Sequence, residues 1–198
     1  MQTSYDHIAD QWHSQGREQS YVKRVLAYVD LILDCAKPGS KVLDLGCGTG
    51  NPIAKHIVQR GFQVLGIDES EKMLEIARLQ VPEGQFIRDN MIDVQLQGRF
   101  AAAVVWDSIF HIERKYHSTV FNKLANALEN DGRVLLSVGG SGADSFSSKM
   151  FGHTFFYSGH KPEVTRQLLE AEGFEIELWE VDDPSSRGHI AVIVRKAA

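Results

Sequence analysis

Residues 42–50 read Val-Leu-Asp-Leu-Gly-Cys-Gly-Thr-Gly, and no other segment constrains the fold as tightly. A short apolar strand ends at Leu45. Gly46, Gly48 and Gly50 follow, and without side chains they let the backbone turn sharply and come close to a ligand. A helix predicted from about Asn51 to Arg60 then aims its free N–H groups at whatever fills the turn. Strand, glycine turn and helix in this order belong to open α/β sheets, which bind ligands beyond the carboxyl ends of their strands.

The spacing narrows the ligand. The dinucleotide fingerprint G-x-G-x-x-G fails, because its last position is Asn51 counting from Gly46 and Ile53 counting from Gly48. A P-loop fails too, since no Gly-Lys-Ser/Thr follows. Asp44, two places before the first glycine, would repel a pyrophosphate and favour a cationic ligand, directly or through a fixed water. Asp68 ends the next strand in Gly-Ile-Asp-Glu-Ser, 22 residues after Gly46, where an acid accepts ribose hydroxyls. The turn therefore asks for a nucleoside with positive charge and no diphosphate.

The rest of the chain alternates in the same way. Lys41–Leu45, Phe62–Ile67, Gln85–Arg88, Phe100–Trp106 and Arg133–Val138 read as strands, and Glu71–Gln80, His117–Leu128 and Pro162–Glu172 as helices. That pattern implies a mostly parallel sheet covered on both faces. Asp131-Gly132 reads as a turn. Residues 1–37 read as helical, with Val22, Val25, Leu26, Val29, Ile32 and Leu33 on one stripe, Ser20 as N-cap and Pro38-Gly39 as the stop. Phe174–Val181 and Gly188–Arg195 are joined by too few residues for a crossover helix and read as an antiparallel pair. Residues 139–160, rich in Gly and Ser and holding Phe146, Phe151, Phe155, Phe156 and Tyr157, show no periodicity and read as a long loop next to the substrate. At 198 residues, with roughly 100–200 per domain, one domain is expected.

The Val-Leu-Asp-Leu-Gly-Cys-Gly-Thr-Gly segment resembles motif I of class I S-adenosylmethionine (SAM) dependent methyltransferases, and Gly-Ile-Asp-Glu-Ser resembles their next acidic motif. The resemblance covers residues 40–138 by motif and the remainder by order of elements. It implies a Rossmann-like α/β fold, a seven-stranded sheet of order 3-2-1-4-5-7-6 with the last strand antiparallel. It implies SAM as cofactor and S-adenosylhomocysteine as product. Asp44 and the backbone of Gly46, Cys47, Gly48 and Gly50 would line the methionine part, and Asp68 the ribose. Met73 would lie beside the adenine, with Asp89 accepting from its amino group and Asn90 or Met91 against the ring. Trp106 and Asp107 would stand near the transferred methyl, and Tyr5 would fold over the cofactor as part of an N-terminal lid. Trp106-Asp107-Ser108-Ile109 departs from the Asn/Asp-Pro-Pro-Tyr pattern of nucleobase N-methyltransferases.

These readings give methyl transfer to a small-molecule O, N or S nucleophile. Alternatives are a peptide or protein side chain as acceptor, a SAM-binding protein without turnover, and a nicotinamide oxidoreductase, against which the failed fingerprint counts. His111, four residues beyond Asp107, is the candidate base or substrate anchor; its alternative is a solvated loop histidine. Asp107 is the second catalytic candidate; its alternative is the N-cap of a helical turn. His153 and His160 bracket the aromatic segment and read as surface residues. No ligand spacing indicates a metal. His189 reads as structural, Trp179 as packing, and Glu175, Glu177 and Glu180 as a solvated edge.

The net charge of −5 and the lack of a Lys/Arg run argue against nucleic acid and anionic lipid as partners. Two cysteines, Cys35 and Cys47, form neither a disulfide framework nor a zinc pattern. No apolar run approaches the ~18 residues of a membrane span, and the N-terminus lacks a secretory signal. A cytoplasmic monomer or homodimer is the expectation.

Overall fold

The computed structural model describes residues 3–140, 145–183 and 189–197. Its main sheet holds β1 (Lys41–Leu45), β2 (Gln63–Asp68), β3 (Gln85–Arg88), β4 (Phe100–Val105), β5 (Leu128–Gly139), β8 (Phe174–Asp183) and β9 (His189–Lys196). The spatial order is β3-β2-β1-β4-β5-β9-β8. Counted within this sheet, that is the expected 3-2-1-4-5-7-6. The five strands from β3 to β5 are mutually parallel, and β9 runs antiparallel to both β5 and β8. After β1 the chain moves outward to β2 and β3, then returns to place β4 on the other side of β1. The strand ends at that reversal diverge and leave a crevice.

Every residue of β4 is buried, as a central strand covered on both faces must be. Alternate side chains serve the two faces. On one, Val42, Val64, Ala102, Val104 and Leu135 meet helix α2 (Gln19–Leu33) and helix α3 (Ile53–Gln59) through Val25, Val29, Ile32, Ala54 and Ile57. On the other, Leu43, Leu45, Ala103, Val105 and Leu136 meet helix α5 (His117–Ala127) through Val120, Phe121 and Leu124, and helix α6 (Pro162–Ala171) through Leu169. Helix α4 (Glu71–Gln80) connects β2 to β3.

Four expectations need correction. The N-terminal region is not continuous helix: a 3₁₀ turn (Tyr5–His7) and helix α1 (Ala9–Gln15) end at Gly16, whose φ of 65° breaks the run before α2. Glu18, not Ser20, precedes the first turn of α2, and the Ser20 hydroxyl donates to the Glu18 carboxylate at 2.5 Å. Asp131-Gly132 is not a turn between elements. It is a bulge inside β5, where pairing jumps from Phe100↔Leu128 to Ala102↔Arg133 and Asp131 takes φ 61°. Within the segment read as a loop, β6 (Ser145–Met150) and β7 (His153–Ser158) form an antiparallel hairpin turning at Phe151-Gly152, both at positive φ. Residues 141–144 of that segment, and 184–188 of the last expected turn, lie outside the described residues. Among the described residues no helix is long and apolar enough to cross a membrane.

The hairpin and the N-terminal segment cover the crevice together. Phe155 of β7 is buried against Ile8, Ala9 and Met73. Asp6, 8% exposed, fastens the N-terminal segment to the start of α4. Its carboxylate accepts from Ser70 Oγ at 2.6 Å, Lys72 N at 3.2 Å and Thr3 N at 2.6 Å. The first turn of a helix favours an anion here. Burial alone would raise the Asp6 pKa, but these hydrogen bonds outweigh it and hold it below the ordinary carboxylate value. Asp6→Ala should cost about 1–3 kcal/mol of unfolding free energy in chemical denaturation. It should also speed protease cleavage within residues 3–15. Since the folded pKa is depressed, this contribution is present at neutral pH and fades as pH falls below 3.8 towards the folded value.

Candidate functional site

The floor of the crevice is the turn after β1. Gly46 takes φ 84°, and its N–H and that of Cys47 donate to the Ile67 carbonyl at 2.7 and 3.1 Å. A Cβ on Gly46 would stand 2.3 Å from Ser108 Cβ, so glycine is required for the β4 loop to pack on this turn. The Gly48 N–H donates to Asp68 Oδ2 at 2.9 Å, and the Ser70 N–H donates to Asp68 Oδ1 at 2.9 Å. Parallel pairing of Leu45 with Ile67 sets Asp68 one step beyond the end of β1, level with the glycine turn. Asp44 lies beneath. It is 2% exposed, and its Oδ2 is buried without a hydrogen-bond partner. Burial first, and then the nearby Asp68, push its pKa up to about 7.

The crevice has a cavity volume of about 170 Å³. Of the residues singled out from the sequence, Tyr5, Asp44, Gly46, Cys47, Gly48, Asp68, Met73, Asp89, Met91, Trp106, Asp107 and His111 line it. Two do not. Gly50 faces away, and a Cβ there would meet Val81, Ala77 and Phe86 at 3.3–3.5 Å, so it seats the turn on α4 and β3. Asn90 is occupied elsewhere: its amide donates to the Glu69 carboxylate and its Oδ1 accepts from Ile92 N at 2.7 Å, bracing the turn after β3.

Asp107 stands at the mouth of β4 with φ 50°, a left-handed conformation that aspartate tolerates better than most residues. It is not a helix cap. Tyr21 Oη donates to its Oδ2 at 2.5 Å, and His189 Nε2 lies 2.8 Å from its Oδ1. Ser137 Oγ accepts from the Asp107 N–H at 2.8 Å and donates to Oδ1 at 3.3 Å. His189 Nδ1 is 3.0 Å from Asp182 Oδ2, and Arg24 Nε donates to Asp182 Oδ1 at 2.7 Å. With a carboxylate on each ring nitrogen, His189 must donate from both and is an imidazolium. Burial works against its charge, but Asp107 and Asp182 outweigh burial and raise its pKa. Burial likewise opposes the charge of Asp107, and His189 and Tyr21 hold its pKa below the ordinary value.

His111 has a different state. Its Nδ1 is 2.9 Å from the Phe156 carbonyl, which only accepts, so Nδ1 carries the proton. Nε2 then offers its lone pair to Tyr5 Oη at 2.8 Å. Burial holds the His111 pKa below its ordinary value and keeps the ring neutral. Burial also raises the Tyr5 pKa. His153 stacks on His7 at 5.0 Å and His160 bonds the Arg114 carbonyl at 3.0 Å. Neither lines the crevice. Among the described residues no three His, Cys, Asp or Glu side chains are grouped to hold a metal ion.

Sequence reasoning missed Tyr21, Ser137, Asp182 and the role of His189. The pairing of β5 with β9 sets Gly139 opposite His189 and Ser137 opposite Ala191, which brings these distant residues to one edge of the crevice. The alternation of β9 alone carried no such signal.

Residues 42–132 match the model of a methyltransferase domain family. An uncharacterized methyltransferase of Alkaliphilus oremlandii is 26% identical over 119 residues, 60% of this chain and 54% of that protein. The ubiquinone biosynthesis O-methyltransferase of Dechloromonas aromatica is 35% identical over 105 residues, 50% of this chain and 44% of that protein. The chain thus spans about half the length of these curated relatives. The crystal structure of Burkholderia thailandensis 1,6-didemethyltoxoflavin-N1-methyltransferase, with bound 1,6-didemethyltoxoflavin and S-adenosylhomocysteine, shares the fold. Its TM-score is 0.73 at 20% identity, over 98% of this chain and 84% of that one.

The His189 pair is testable through stability. A raised folded pKa means the imidazolium stabilises fully below pH 6.5 and loses its effect as pH rises through the folded value. His189→Asn should therefore lower Tm strongly at pH 6, where hydrogen bonds to charged groups are worth about 1.5–3 kcal/mol, and progressively less towards pH 9. A Tm difference independent of pH would contradict the imidazolium.

Proposed function

We propose that this chain, which carries a methyltransferase domain over residues 42–132 in the fold of SAM-dependent methyltransferases, transfers a methyl group from SAM to an O, N or S nucleophile of a small molecule. One observation carries the reading: Asp44, buried and with an unpartnered Oδ2, lies directly under the glycine turn. A buried carboxylate without a partner is costly, and a bound cation relieves that cost. The lining of the crevice adds Asp68, Glu69 and Asp89 on the same side. This set suits a cationic nucleoside and opposes a diphosphate.

The residues present fit that cofactor. Asp44 and the Gly46–Gly48 backbone would hold its amino-acid end, and Asp68, steadied by two N–H donors, would still offer lone pairs to ribose hydroxyls. Met73, Asp89 and Met91 would enclose the base, and Tyr5 and Trp12 would cover it. When bound, SAM supplies an electrophilic methyl on a sulfonium, so the protein contributes alignment, exclusion of water and management of one proton. Tyr5 and His111 are placed for the last task. As an acceptor gives its proton to Tyr5 Oη, Tyr5 gives its own to His111 Nε2, and the Phe156 carbonyl keeps the ring oriented. Because the two transfers are paired, Tyr5 need never become a phenolate, which its raised pKa disfavours. Asp107, whose carboxylate accepts from Tyr21, Ser137 and His189, is better suited to holding the electrostatics of the acceptor end than to taking a proton itself.

The small-molecule acceptor is supported by the relatives named above, one acting in ubiquinone biosynthesis and one on 1,6-didemethyltoxoflavin. Calorimetric titration tests the cofactor: SAM and S-adenosylhomocysteine should bind at micromolar concentration, and NAD should not. Asp68→Ala should weaken both by about ten- to a hundredfold, the worth of hydrogen bonds to a charged group. Unchanged affinity would remove Asp68 from the site. With an acceptor that loses a proton, His111→Ala should lower kcat by about a hundredfold or more at unchanged SAM affinity. Wild-type turnover would make His111 a bystander.

A further inference from the structure

The segment that carries His111 is neither strand nor long helix. It follows β4 as two short 3₁₀ turns, Ile109–His111 and Arg114–Tyr116, and then enters α5. Turns this short make few bonds of their own, so their position must be set from outside. β7 and the residues just beyond it do this at every second position. The Phe156 carbonyl lies 2.9 Å from His111 Nδ1, Ser158 Oγ accepts from the Arg114 N–H at 3.1 Å, and His160 Nε2 lies 3.0 Å from the Arg114 carbonyl. A carbonyl only accepts, so His160 donates from Nε2. The same carbonyl also accepts from the His117 N–H at the start of α5. Both backbone groups of Arg114 are thereby gripped, close along the chain to His111.

The hairpin needs such an anchor. β7 pairs with β6 in a two-stranded sheet separate from the main one. A lone hairpin is marginally stable in water and takes its place from what it packs on. Phe155 holds the middle of β7 against Ile8 and Met73. At its end Ser158 is buried and His160 is half-buried, just before α6. Helix α6 is itself fixed: Leu169 lies in the main core, and Glu172 accepts from Ser118 Oγ and Asn122 Nδ2 of α5 at 3.1 and 2.7 Å. His160 therefore stands where the hairpin joins the rigid body, its ring edge-on to that of buried His117 with centroids 5.4 Å apart.

The consequence reaches His111 through the backbone. The ring nitrogen that carries the proton is set by the bond the ring makes, here to the Phe156 carbonyl, and that carbonyl moves with β7. A hairpin that shifts against the loop loosens this bond. The proton then divides between the two nitrogens, and Nε2 no longer offers Tyr5 a lone pair in every molecule.

We propose that His160 is a positioning residue for the Tyr5–His111 pair: with Ser158 it locks the loop after β4 to the hairpin, in the register that keeps the His111 proton on Nδ1. That this pair takes a proton from the acceptor rests on the methyltransferase reading; the lock itself stands on the hydrogen bonds around Arg114.

Imidazole ¹H–¹⁵N correlation spectra of the whole protein test the lock without substrate, the His111 signals being assigned by their loss in H111Q. Wild type should show His111 as a single Nδ1–H tautomer. H160F keeps the bulk of the ring and removes the donor, so the ¹⁵N shifts of His111 Nδ1 and Nε2 should move towards each other as the tautomers mix. H160Q brings an amide N–H to the place of Nε2 and should restore the wild-type shifts. S158A removes the acceptor of the Arg114 N–H and should move the shifts as H160F does; it carries the test if H160F does not fold. With an acceptor that loses a proton, H160F should lower kcat about tenfold or more at unchanged SAM affinity, because small misplacements cost this much. The proposal is overturned if wild-type His111 is not the Nδ1–H tautomer, or if its shifts are unchanged in H160F or, where that variant does not fold, in S158A. It is also overturned if H160Q moves the shifts as far as H160F. If the shifts move and kcat does not, the lock stands and the proton-handling role of His111 fails.

Discussion

The crevice depends on the grip of Asp68 on two backbone N–H groups. One comes from Gly48 in the turn after β1, the other from Ser70 at the start of α4. Through them a single carboxylate ties the ends of two adjacent parallel strands to a helix N-terminus. The turn can meet Asp68 only because Gly46 and Gly48 adopt positive φ, and Gly46 must also lack a Cβ for Ser108 to close behind it. Ser70 extends the same linkage outward: its hydroxyl caps α4 at Met73 N and donates to Asp6 of the N-terminal segment. Floor, wall and cover are thus connected through one acid and the donors around it.

The two ends of the crevice handle buried charge in opposite ways. Asp107 is compensated by a chain running through His189 and Asp182 to Arg24, so it stays ionised although half-buried. Asp44 has no such chain and sits near half-ionisation at neutral pH. A protein that compensates one buried carboxylate so thoroughly and leaves another bare has an arrangement suited to receiving the missing charge from outside. The contrast also separates the roles of the two histidines. His189, between two carboxylates, is a fixed cation, and His111, between a carbonyl and a phenol, is a neutral ring with a lone pair to use.

Much of this was legible in the sequence because the determinants are local. The turn at residues 46–50, the acid two residues before it and the acid at the end of β2 are contiguous signals, and they come together through simple parallel pairing. The apolar run at Phe100–Val105 likewise announced a central strand. What escaped reading was non-local. Consecutive aromatics at Phe155, Phe156 and Tyr157 mask the alternation of β7, so a hairpin read as a loop. The acids and donors around His189 come from α2, the loop after β4, β5 and β8, and only sheet order unites them. Gly50 and Asn90 matched a motif by position, yet their surroundings give them packing and turn-bracing tasks. The break at Gly16, which separates α1 from α2, is invisible to a helical periodicity that continues on either side.

The central claim is that the bare Asp44 selects a cationic ligand. The direct measurement is the pH dependence of SAM affinity in the wild type and in Asp44→Asn. The carboxylate must be ionised to attract the cation, and its pKa in the free protein is about 7. Wild-type affinity should therefore rise between pH 5 and pH 7, approaching about tenfold per pH unit at the acidic end. In Asp44→Asn, binding should be weaker at pH 7 and nearly flat over the same range. Parallel profiles for the two proteins would contradict the claim and leave the buried carboxylate without a role in choosing the ligand.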